Sequence, residues 1–175
     1  HMIWRVSSDS GVIFVAVSVH ALPKSVYPLP SVFNRAFDSA TTLVLELELG
    51  EDAIASMGPV LLEKGRYQGK ETLKDHVSKA TYAKLKKRLK EIGLDVSFFA
   101  TFKPWVVGML LTSFSAGNSG ITAENGLDLH FQKKASEAGI PVVGLETIEL
   151  QINLFDEMPP KAQEQFLLQQ LSDQQ

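Results

Sequence analysis

Three short apolar runs limit what this chain can fold into. They are residues 12–19, 41–49 and 140–145, each rich in Val, Ile, Leu or Phe and each too short for a core helix. In 41–49, Leu43, Leu45 and Leu47 alternate with Val44, Glu46 and Glu48, the period of a strand with two unlike faces. Runs 12–19 and 140–145 lack that alternation, and the sequence predicts them as buried strands. Residues 3–6 form a further short strand, joined to 12–19 by the turn cluster Ser7-Ser8-Asp9-Ser10-Gly11.

The stretches between repeat at helical spacing. In 78–92, Tyr82, Leu85, Leu89 and Ile92 make one stripe, closed by Gly93. Residues 103–113 are apolar nearly all round and start at Pro104, which reads as a buried helix. A helix over 127–138 stops at Gly139, and helices over 147–155 and 161–171 are separated by Pro159-Pro160. Ser31 caps a short helix that reaches Phe37. Residues 51–69 read as a short helix and then a Gly-containing loop, and 115–126, rich in Gly, Asn and Ser, as a mobile loop. This order predicts an α/β domain over residues 3–171, a partly parallel mixed sheet with flanking helices, followed by a polar tail at 172–175.

Composition removes several functions. The 175 residues carry a net charge of -3, which disfavours nucleic acid as a partner. Cysteine is absent, so disulfides, zinc–thiolate sites and thiol nucleophiles are excluded. No apolar run reaches the ~20 residues of a membrane span. The sequence carries no signal peptide, but His1-Met2 is the pair that a cleaved cloning tag leaves, so this says little about compartment, and any membrane association is expected through segments removed from this sequence.

Three strands end in residues that could do chemistry. His20 follows 12–19, Glu46 and Glu48 close 41–49, and Glu146 follows 140–145. In open α/β sheets, sites form outside the carboxyl ends of the strands. If these strands run parallel, His20, Glu46 or Glu48, and Glu146 gather at one edge. That donor set suits Mn, Zn, Co or Fe and can lower the pKa of a bound water to about 7. The competing reading is that glutamates after strands favour helix N-termini for the dipole, with His20 an ordinary loop histidine. His76 reads as solvated, His130 as structural, and Trp105 as core or as a pocket wall. Lys79, Lys84, Lys86, Lys87, Arg88 and Lys90 make the helix over 78–92 basic, either as a solvated face or as a dock for an anionic membrane or an acidic partner. A Gly-x-Ser-x-Gly elbow, a P-loop and a dinucleotide fingerprint are absent.

Short motifs follow one another in a recognisable order. They begin with Ile3-Trp4-Arg5, Val17-Ser18-Val19-His20-Ala21-Leu22-Pro23 and Tyr27-Pro28-Leu29-Pro30. Leu43-Val44-Leu45-Glu46, Lys103-Pro104-Trp105, Gly126-Leu127-Asp128 and Gly144-Leu145-Glu146-Thr147 with Gln151 come next. Together they resemble the TraB/GumN family, which is related to the Tiki metalloproteases, over nearly the whole chain. The resemblance implies a metal-dependent hydrolase or peptidase acting on a peptide or ester. His20 would ligate Mn, Co or Zn, and Glu46 and Glu146 would ligate it or serve as general base on a metal-bound water, with Glu48 the alternate to Glu46. An extracytoplasmic or periplasmic setting is implied as well.

Two departures from the family pattern stand out. Val17 occupies the glycine position of the family's Gly-x-x-His. Family members are also nearly twice this length and carry a second Gly-x-x-His. The chain is therefore expected to hold half of a larger two-part fold, to have an incomplete site, and to associate with itself through an uncovered sheet edge. The alternative is a non-catalytic interaction domain that keeps the fold and has lost the reaction.

Overall fold

The Ser-rich cluster at 7–11 reverses the chain, as its composition predicts. In the computed structural model, which describes residues 2–118 and 120–172, the elements run β1 (Ile3–Ser8), β2 (Gly11–Ala16), β3 (Leu22–Pro23), α1 (Ser31–Asp38), β4 (Leu43–Leu47), α2 (Glu51–Lys64) and α3 (Lys79–Glu91). There follow α4 (Pro104–Asn118), β5 (Ile121–Thr122), α5 (Leu127–Ala138), β6 (Val142–Glu146), α6 (Ile148–Asp156) and α7 (Pro160–Ser172). They form two compact units, His1–Leu49 with Ala116–Glu146 and Gly50–Ser115 with Thr147–Gln175.

In the first unit, β1 and β2 pair antiparallel around Asp9 and Ser10. Val17 extends the ladder by donating its N–H to the Met2 carbonyl at 3.0 Å. β2 is not the buried strand that its composition predicts: Val12, Ile13 and Val15 are exposed. Among the described residues the hairpin has no third strand, and two strands alone leave apolar surface uncovered. The expected loop at 115–126 is corrected too. α4 runs on to Asn118, and β5 pairs antiparallel with β3. Ser31 is the first residue of α1 instead of its cap, and its hydroxyl accepts from Arg35.

The parallel pairing is present. β4 and β6 run side by side with Leu43 opposite Val142, Leu45 opposite Gly144 and Leu47 opposite Glu146, which makes the fold α/β. Run 140–145 is predicted as buried, yet Val143 and Leu145 are exposed and burial alternates along both strands. α5 contacts both strands, so one face is covered, where a full α/β layer would cover two. The face of Val44, Val143 and Leu145 is left open, and among the described residues each strand has one unpaired edge. Such edges recruit other chains. Light scattering at about 100 μM, far above the Kd of a specific dimer, is therefore expected to give particles of at least two copies. A monodisperse monomer at that concentration would remove this expectation.

The second unit is helical. The stripe of α3 is buried through Leu85 and Leu89, packed with Leu73, Val107, Leu111 and Leu167. Ser78 caps α3 by accepting the Thr81 N–H at 3.1 Å. Glu164 of α7 accepts from the Ser78 N–H at 2.8 Å and from the Thr81 hydroxyl, tying α7 to the start of α3. Trp105, Val106 and Ile152 form a second cluster. α2 extends over 14 residues with Pro59 inside it, where a short helix was expected. Residues 173–175 of the expected polar tail lie outside the described residues, and Ser172 belongs to α7. No described helix is long and apolar enough to cross a membrane.

Candidate functional site

Asp128 organises the candidate site, which lies wholly within the first unit. It stands in the first turn of α5, where the helix dipole favours a carboxylate. It is only 7% exposed, and a buried carboxylate needs partners. It has two, both from the segment that follows β2. The Ser18 hydroxyl donates to Oδ1, and Nδ1 of His20 lies 2.7 Å from Oδ2. The backbone closes the same contact. The Leu127 N–H donates to the Val19 carbonyl at 3.0 Å. A Cβ on Gly126 would sit 2.2 Å from the His20 carbonyl oxygen. With φ -63° and ψ 150°, Gly126 has a backbone that any residue could adopt, so the glycine serves close approach.

This arrangement orients the imidazole. In the neutral imidazole, an Nδ1–H that donates to this carboxylate leaves the lone pair on Nε2. Nε2 lies 3.9 Å from Oε2 of Glu46, too far for a hydrogen bond and close enough for one bound group to touch both. The His20 and Glu46 side chains are 73% and 52% exposed, so solvent reaches them freely.

The other predicted residues are placed differently. Paired residues of a sheet share a face. Glu146, opposite Leu47, therefore sits with Leu45 and Leu47, whereas Glu46 sits with Val44 and Leu145 on the other side. The structure thus brings His20 and Glu46 together and puts Glu146 on the opposite face of the pair. Glu48 and Glu46 are not interchangeable either. After Leu47 the backbone folds across the sheet, and a Cβ on Gly144 would meet the Glu48 amide nitrogen at 2.9 Å. Val17 fits without strain, since no non-glycine residue described has a positive φ.

His130 packs against Tyr27 and Phe131, and burial, aided by Lys134, holds its pKa below the usual histidine range. His76 is not simply solvated: it stacks on Tyr67 with centroids 4.0 Å apart and lies 3.1 Å from a Glu71 oxygen. Burial, with Glu71 and Asp156 nearby, pushes the Tyr67 hydroxyl up to about 12. Trp105 is wholly buried core. Among the described residues, no group of three or more His, Asp or Glu is placed to hold a metal ion.

Residues 2–175 match the sequence profile of the TraB/PrgY/gumN family. The chain belongs to that family. It is 27% identical over 145 residues to the uncharacterized protein YbaP of Escherichia coli (strain K12), covering 82% of this chain and 52% of the relative. The uncharacterized YbaP of Shigella flexneri matches to the same extent. The chain thus spans about half the length of the curated relatives it matches. No solved structure matches it.

Within this TraB/PrgY/gumN chain, the residues that sequence reasoning left without a role are Ser18 and Asp128. Both stand inside quoted motifs. The usable signal is an acidic residue in the first turn of a predicted helix, two residues after Gly126. What it accepts from could not be read, because its partners lie 110 and 108 residues away.

Proposed function

We propose that this chain supplies the histidine–carboxylate part of a divalent-metal site in a hydrolase acting on a peptide or ester bond. The observation that carries the reading is His20, held by Asp128 with Nε2 turned toward Glu46. A metal-bound histidine characteristically donates its other ring N–H to a carboxylate, which fixes the tautomer and strengthens the ligand. Donor chemistry therefore fits Mn, Co or Zn in kind and orientation. It falls short in number, since a catalytic ion takes three protein ligands and two converge among the described residues. Bound there, such an ion would supply an acidified water for hydrolysis. Asp128 holds His20, Ser18 holds Asp128, and Glu46 Oε2 either shares the ion or accepts the proton of the attacking water. The shortage of donors also favours the second reading, a domain that keeps the fold without the reaction.

Calorimetric titration of the 175-residue chain with MnCl2 or ZnCl2 tests this. The expected result is weak binding, with Kd above about 10 μM because two donors hold the ion where three are normal. His20→Ala should abolish it, and Asp128→Asn should weaken it by roughly tenfold or more through the lost outer-shell contact. Binding that survives His20→Ala, or no binding at millimolar metal, would overturn the reading.

A further inference from the structure

Charge in this chain is strongly segregated. Residues 64–90 hold ten of its 17 lysines and arginines and two of its 20 acidic residues. That is a local excess of eight positive charges in a chain whose total is -3. The segment lies within the second unit and centres on α3.

A helix that merely needs solvating is not built this way. α3 has no acidic residue in its first turn and places Lys79 there, at the positive end of the dipole. Lys86–Lys90 and Lys84–Arg88 are like-charge pairs four residues apart, which weaken a helix. Glu91, the only acid in α3, lies near Lys87 and Arg88. With Leu85 and Leu89 facing inward, helical spacing puts Lys79, Lys86 and Lys90 in one outward row. All three are exposed.

An exposed aromatic lies on the turn that packs on α3. α3 packs on a short 3-10 turn, Val96–Phe99, capped by Asp95. The Ser97 hydroxyl and amide hold the Asp95 carboxyl below the usual range, and the nearby Lys86 ammonium adds to this; Leu94 and Val96, on either side of Asp95, pack on the cluster that holds Leu85 and Leu89 of α3. Phe99 is buried in the core, while its neighbour Phe98 is 73% exposed.

We propose that the Lys79–Lys86–Lys90 row of α3, with Phe98 of the adjoining turn, docks this unit on an anionic lipid surface. Lysines are compact point charges that need no fixed geometry. They suit a fluid layer of mobile headgroups, and an exposed ring beside them can enter the headgroup–acyl boundary. An oligonucleotide groove interleaves several aromatics with its cations, whereas α3 carries one aromatic, Tyr82, and it is half-buried. The row shares no residue with the His20 site and belongs to the other unit, so the proposal stands whether or not the metal reading does.

Co-sedimentation of the full 175-residue chain with vesicles tests it. One set contains equal parts phosphatidylglycerol and phosphatidylcholine, the other phosphatidylcholine alone. Binding is expected to the first only and to fall with added salt. Replacing Lys79→Glu, Lys86→Glu and Lys90→Glu together should cost at least about tenfold in affinity. Lys79→Glu puts an acid at the helix start, so loss of fold is not the expected cause, and an unchanged circular dichroism spectrum checks this. Phe98→Ala should weaken binding several-fold. The proposal is overturned if anionic vesicles do not bring the chain down, if either variant binds as well as the parent, or if a single-stranded oligonucleotide binds more tightly than the anionic vesicles at equal salt.

Discussion

Replacing Trp105 with alanine is expected to destabilise the second unit by about 3–5 kcal/mol, the range for deleting a large buried aromatic. The indole is wholly buried among Val106, Ile152 and their neighbours. Its ring stacks on Phe155 with centroids 5.8 Å apart and planes 21° apart. Its Nε1–H donates to Asp156 Oδ1 at 3.3 Å, the oxygen that also takes the Lys103 ammonium. Alanine would leave a cavity, an unstacked Phe155 and a weakened anchor for Lys103. For a chain of this size, that cost corresponds to a midpoint drop of roughly 6–20 °C by calorimetry. Trp105→Phe keeps a ring but not the N–H and should recover more than half of the loss. A shift below about 3 °C for the alanine variant would contradict the packing described.

Gly126→Ala is expected to act on the site more than its single methyl group suggests. The backbone there tolerates alanine, so the cost arises from the contact alone: 2.2 Å between the new Cβ and the His20 carbonyl oxygen. Backbone on both sides leaves no flexible side chain to yield. Either α5 or the segment of Ser18 to His20 must shift, at a cost of about 2–3 kcal/mol by analogy with overpacked cores. The His20–Asp128 contact should be lost with it. The checks are a denaturant titration together with the His20 ring resonances by NMR, which should move toward those of a free histidine. A variant with parental stability and unchanged His20 signals would show that the contact is softer than the geometry requires.

How much of this was legible in the sequence follows from range. Leu43, Leu45 and Leu47 announce β4 because alternation is local, and Ser78 and Gly93 bracket α3 because caps are local. β2 reads as buried and is exposed for a non-local reason: Val and Ile on both sides of a strand say that cover is wanted, not that a third strand arrives. The full length of α2 is not legible locally, since Pro59 cannot donate a helical hydrogen bond, yet the helix runs over 14 residues with it inside. The stretch 115–126 reads as loop from its Gly and Asn, because a two-residue strand such as Ile121–Thr122 is too short to leave a period. His20 and Glu46 could be nominated from strand ends. That Glu46 rather than Glu48 faces the ring, and that Asp128 holds it, depends on pairings across most of the chain.

Those pairings also set an order of events. Ser18 and His20 meet Asp128 across 110 and 108 residues of chain, and β4 has no parallel partner until β6 exists. During synthesis from the N-terminus, the first hairpin can close as soon as it emerges, because its strands are adjacent. β4 must wait while α2, α3 and α4 are made, and the histidine stays unheld until the start of α5 has left the ribosome. Closing so long a loop costs only slightly more entropy than closing one of half the length, but it slows the search for contact. Throughout that wait, the apolar face of β4 is available to whatever other chain is nearby.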